Sequence, residues 1–196
     1  GTLNVDGEFL IAGGYSQAAL EYNGGAINGV ARMLGGDLSI DPAVGAGTIR
    51  VVGGTTLLLT DIPALVTILV SNNSGSGATL EVSADCRNEG TVTLTSEANT
   101  FSRLDNDAGG FVNAGTLNVE PGADGSRVVL GGIDNSGVMN VNTDLTLSNY
   151  YQTYTNTGDL TVAAGAVFEV NYFGQVFQQN GGTLTVDGEL LVDGGN

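Results

Sequence analysis

Apolar and polar residues alternate along this chain in short tracts, among them GTVTL at 90–94, GTLNV at 115–119, GDLTV at 158–162 and AVFEV at 166–170, separated by segments rich in Gly, Asn, Asp, Ser and Ala. A strand puts every second side chain on one face, so these tracts predict short strands with one face in a core, bounded by turns. No stretch reads as a helix. The expected fold class is all-β.

The tracts recur. Asn-x-Gly followed by an alternating strand occurs as NEGTVTL from Asn88, NAGTLNV from Asn113, NSGVMNV from Asn135, NTGDLTV from Asn156 and NGGTLTV from Asn180, at spacings of 25, 22, 21 and 24. GTLNV at Gly1, NGGAING from Asn23 and GTIRV at Gly47 extend the series toward the N-terminus, with one gap of 43 residues before Gly90. The mean period is about 22.6 residues over the 181 residues from Gly1 to Gly182. That is too short for a propeller blade or a paired-helix repeat. Three strands and three corners fit it, as in GDLTV at 158–162, AVFEV at 166–170 and GQVFQQN at 174–180. The prediction is a right-handed parallel β-helix, a three-sided β-solenoid of about eight coils of 21–25 residues, forming one domain over 1–196.

Coil stacking places like above like. Leu117, Met139, Leu160 and Leu184 are expected to form one inward column and Val119, Val141, Val162 and Val186 its neighbour. An offset of 23 pairs Leu145 with Phe168, Leu147 with Val170, Tyr150 with Phe173 and Tyr154 with Phe177. The recurrent Asn88, Asn113, Asn135, Asn156 and Asn180 are expected to form a ladder of amides at a corner, where Asn tolerates a left-handed backbone. The glycine two residues later relieves crowding at the turn.

Composition narrows the class. The chain holds 32 glycines but three prolines, with 41% hydrophobic residues, which excludes collagen and disordered tracts. Twenty-one acidic residues face five arginines, with no lysine or histidine, for a net charge of −16. That charge opposes nucleic acid and anionic lipid. The single Cys86 excludes an internal disulfide and a cysteine zinc site, and reads as a small buried residue. The most apolar stretch, 55–70, is interrupted by Asp61 and Pro63, so membrane insertion is not expected; it reads as core. The sequence opens at Gly1 without methionine or signal peptide, and the expectation is a segment of a longer or processed polypeptide.

At 89–119, EGTVTLTSEANTFSRLDNDAGGFVNAGTLNV resembles the autotransporter-associated β-strand repeat, also called the passenger-associated transport repeat. The likeness is carried by GTVTLTSEANTFS at 90–102 and VNAGTLNV at 112–119, while RLDNDAGGF replaces that family's short turn. The resemblance implies a β-solenoid passenger or adhesin at the cell surface, and brings no active site. A second likeness is internal: TLNVDGEFLIAGG at 2–14 and TLTVDGELLVDGG at 183–195 agree at nine of 13 positions. Neither end looks capped, so end-to-end self-association is expected.

Candidate chemistry is sparse. Asp105 and Asp107, beside Arg103, interrupt the repeat and are the best candidates for a carboxylate pair or a calcium site; an Asx turn is the simpler reading. Asp6 with Glu8, and Asp187, Glu189 and Asp193, place carboxylates near the two ends, where calcium could bridge successive units. Tyr151 and Tyr172 fall outside the inward register and are candidates for a contact surface. No catalytic residue and no cofactor other than calcium is expected. The leading expectation is a non-enzymatic extracellular fibre, filament or adhesin stalk, with a surface glycan or protein as a further partner. The alternative is a glycan-binding or glycan-cleaving β-helix.

Overall fold

A computed structural model describes residues 1–13, 18–72 and 75–193. The chain is a parallel β-solenoid of about eight turns, and the described residues contain no helix. Each coil contributes strands to three faces. In the seventh coil these are Ile133–Asn135, Val138–Val141 and Leu145–Ser148. In the eighth they are Thr153–Asn156, Asp159–Val162 and Val167–Val170. Every one of these pairs in parallel with its equivalent one coil away. The strand Val138–Val141 lies on the first face, Leu145–Ser148 on the second and Ile133–Asn135 on the third. At the ~4.8 Å strand spacing the stack is about 40 Å long.

The expected columns form. Leu117, Met139, Leu160 and Leu184 are in register, as are Val119, Val141, Val162 and Val186. Leu145 pairs with Phe168, Leu147 with Val170 and Tyr154 with Phe177. These columns merge into one continuous core from Tyr22 to Val170, with Phe177, Leu184 and Leu190 packed against its far end. Tyr150 and Phe173, however, lie at a corner and are 58% and 50% exposed. Strand periodicity ends at Ser148, so the inward alternation does not extend to them.

The gap before Gly90 holds one short coil. Gly47 pairs with Val66, so the missing marker is Val66, and this coil's third face is reduced to a bridge between Ile62 and Asn88. Within 55–70 the inward Leu58, Ile62, Val66, Ile68 and Val70 are buried, leaving Leu65 as the most exposed of its aliphatics. Here the first and second faces are joined without a break: Val30–Ile40 and Gly47–Leu58 each bend round the corner as one strand. The bend falls at Gly35 and Gly36, whose φ of 75° and 97° few other residues adopt.

The N-terminal register differs from the expected one. GTLNV at Gly1 does not stand in line with GTLNV at 115–119, because Thr2–Asn4 pairs with Ala26–Asn28 on the third face, whereas Thr116–Val119 lies on the first. The near-identical end tracts are thus rotated by one face. Thr2–Asn4 and Phe9–Ala12 occupy the third and first faces, and Thr183–Val186 and Glu189–Val192 the first and second. Alternation with a central turn fits any pair of adjacent faces; the stacking partner decides which.

Candidate functional site

The third face carries the amide ladder. Asn88 Nδ2 donates to Asn113 Oδ1 at 2.7 Å, Asn113 to Asn135 at 2.7 Å and Asn135 to Asn156 at 2.6 Å. All four side chains are buried, and the ladder satisfies the Asn113, Asn135 and Asn156 amides while Asn88 Oδ1, at its start, is left without a partner. Asn113 and Asn135 also donate to the main-chain oxygens of Val138 and Asp159 on the next coil. None of these residues has the left-handed backbone expected of a corner; they end extended strands. The ladder's next rung is Gln179, to which Asn156 donates at 2.9 Å, and not Asn180. One more residue lies between this rung and the following strand than in the coil before, so Asn180 moves out to the surface and donates to Gln178.

Glycine follows each ladder residue because backbones nearly touch there. A Cβ on Gly115 would lie 2.2 Å from Gly90 O, and one on Gly137 2.2 Å from Gly115 O.

The candidate carboxylates have local partners. Asp105 ends a strand, its Oδ1 accepting weakly from the Asp107 amide at 3.4 Å, with Arg103 Nε 3.9 Å from its other oxygen. Asp107 accepts a hydrogen bond from Asn149 Nδ2 on a neighbouring corner. Asp187, Glu189 and Asp193 lie on the outermost coil, where their amides continue the backbone ladder to Val162, Ala166 and Val170. Glu8 pairs with Arg32 of the next coil. Among the described residues no three His, Cys, Asp or Glu side chains converge in a geometry that would hold a metal ion.

Arg127 was not singled out by the sequence, yet it is 4% exposed at an inward position in line with Ala78, Ser102 and Leu145. Its guanidinium donates to Glu120 O and Gly125 O, tying down the corner after Thr116–Val119. Burial lowers its pKa, and Asp144 offsets part of that effect.

An open groove of about 710 Å³ lies beside the third face. It crosses five coils. Asp61, Arg87, Asp85, Asp134, Gln152 and Tyr151 supply its polar and aromatic walls. Gly109, Gly110 and Gly132 leave it without side chains midway, since a Cβ on Gly109 or Gly132 would collide with the adjacent coil. Asp61 Oδ1 accepts from the Arg87 amide at 2.7 Å and Asp85 Oδ1 from the Gly110 amide at 2.9 Å, fixing both carboxylates. At one end the turn 149–151 holds the two non-glycine residues with positive φ among those described, Asn149 at 128° and Tyr151 at 58°. The Asn149–Asp107 hydrogen bond anchors this turn, and Tyr151 meets Phe173 edge to face at 5.5 Å.

Cys86 borders the groove, but the residue is buried and its thiol lies 3.5 Å from Thr60 O. Burial, reinforced by Asp61, pushes its pKa up to about 12, so it stays protonated at neutral pH.

No family model matches the chain, and no curated protein or solved structure does. The likeness to the autotransporter-associated repeat therefore rests on residues 90–102 and 112–119 together with the β-solenoid fold.

Proposed function

We propose that this chain is a structural rather than catalytic protein, a stiff rod segment of an extracellular surface fibre, filament or adhesin stalk lengthened by further coils stacked on its ends. The observation that carries this reading is the continuation of the core into the outermost coils. Phe9 stands in line with the buried Ala31, Val186 with Val162 and Val192 with Val170, yet these three are 39%, 40% and 51% exposed. A further coil laid on either end would cover them and pair the open strand edges.

Stiffness follows from the same architecture. The coils are held by parallel hydrogen bonds and the inward core, joined from Asn88 to Gln179 by the amide ladder, and no long excursion interrupts the coils from Asn88 onward. The passenger-like repeat at 89–119 supports a surface location. Negative-stain imaging of purified 1–196 tests the assembly. Filaments or ladders of end-joined particles are expected; isolated particles at every concentration would overturn the reading.

A further inference from the structure

We infer that the groove beside the third face is a binding site for an extended, uncharged glycan chain, with Tyr151 as the platform for one sugar ring. This does not depend on end-to-end stacking, because the groove lies along the side of the rod.

The first argument is shape. Arg87, Val112 and Asp134 are in register on successive coils, and the groove continues to Asp61 on one side and to Gln152 and Tyr151 on the other. Four coil steps at ~4.8 Å give a track about 20 Å long, suited to a linear chain rather than a compact metabolite.

The second is the chemistry of the walls. A sugar hydroxyl both donates and accepts, so it needs both kinds of partner. Asp61, Asp85 and Asp134 accept, Arg87 donates, and the Gln152 amide does both. Asp61 and Asp85 are already oriented by backbone amides, which lowers the ordering cost of binding.

The third is the aromatic end. Tyr151 is 71% exposed, and its ring rests over Gly174, where a Cβ would come within 2.5 Å of it. The ring is held between Gly174 and Phe173, which it meets at a right angle, while most of its surface stays open to solvent and able to cover the apolar face of a sugar. A strained turn that presents a large ring to solvent gains nothing in core burial.

Charge selects among glycans. Three carboxylates against one arginine, on a protein of net charge −16, repel uronates and sulfated chains. A polycation is the competing ligand that charge alone would favour.

The test is calorimetric titration of 1–196 and Tyr151→Ala with cellohexaose, maltohexaose, xylohexaose and mannohexaose, with polygalacturonate and spermine as charged probes. Tyr150→Ala, exposed but outside the groove, is the control, and circular dichroism checks the fold of each variant. Saturable binding of at least one neutral oligosaccharide, weakened about tenfold or more by Tyr151→Ala and unchanged by Tyr150→Ala, is expected. No binding across the neutral set, neutral binding indifferent to Tyr151→Ala, or binding of spermine or polygalacturonate alone would overturn the proposal.

Discussion

Asn113 Nδ2 donates to Asn135 Oδ1 at 2.7 Å across 22 residues of sequence, with both amides inside the protein. Asn113 also accepts from Asn88 and donates to Val138 O, so its removal strips partners from the buried Asn88 and Asn135 amides and from the part-buried Val138 carbonyl. Asn113→Ala should cost about 3 kcal/mol in urea unfolding. Asn180→Ala, at an exposed position beside the ladder, should change stability by less than about 0.5 kcal/mol. Equal effects at the two positions would refute the ladder as drawn.

Close backbone approach, rather than conformational freedom, makes glycine necessary after the ladder. Gly115→Ala would place a methyl 2.2 Å from Gly90 O and force two coils apart, so a loss of at least about 2 kcal/mol is expected. Gly7→Ala meets nothing within 4 Å and should stay within about 0.5 kcal/mol of the parent. Thermal melts of the two variants make the comparison.

Alkaline pH should destabilise the fold. Burial raises the pKa of Cys86 to about 12 and also raises Tyr154 and Tyr22, so the unfolded chain loses these protons at lower pH than the folded one. The stability they allow is intact below about pH 8.5 and declines as pH rises toward their folded values, beginning with Cys86. Urea midpoints should therefore fall between pH 8 and pH 10.5. Cys86→Ala should flatten the early part of that fall, and iodoacetamide should label Cys86 only as the protein unfolds.

Both ends carry carboxylates, Asp6 and Glu8 on one and Asp187, Glu189 and Asp193 on the other, so stacking has to work against like charge. Raising sodium chloride from 10 to 300 mM should promote assembly, because the screening length shortens to well under the width of an end face. Calcium chloride at matched ionic strength separates screening from bridging, and an effect equal to that of sodium chloride would leave screening alone. A calcium effect well beyond the matched salt, seen by light scattering, would instead assign a bridging ion.

The fold was legible because it repeats. Inward columns such as Leu145 over Phe168 follow from alternation plus a period, and both are written in the sequence. The N-terminal register was not, because GTLNV at Gly1 has the same alternation as GTLNV at 115–119 while its partner Ala26–Asn28 lies on another face. Asn180 was misplaced for a similar reason: one extra residue at a corner hands the rung to Gln179. The groove left almost no trace, since it is made of outward residues and glycines whose juxtaposition exists only once five coils are stacked. Arg127, alone among the five arginines in being buried, had no pattern to betray it.

The central claim is a rod that grows only at its ends. Small-angle X-ray scattering of 1–196 over a concentration series at 300 mM salt measures length and cross-section separately. The account predicts a constant cross-section with length increasing in steps of about 40 Å. A particle that stays about 40 Å long at all concentrations, or one that thickens sideways as it grows, would contradict it.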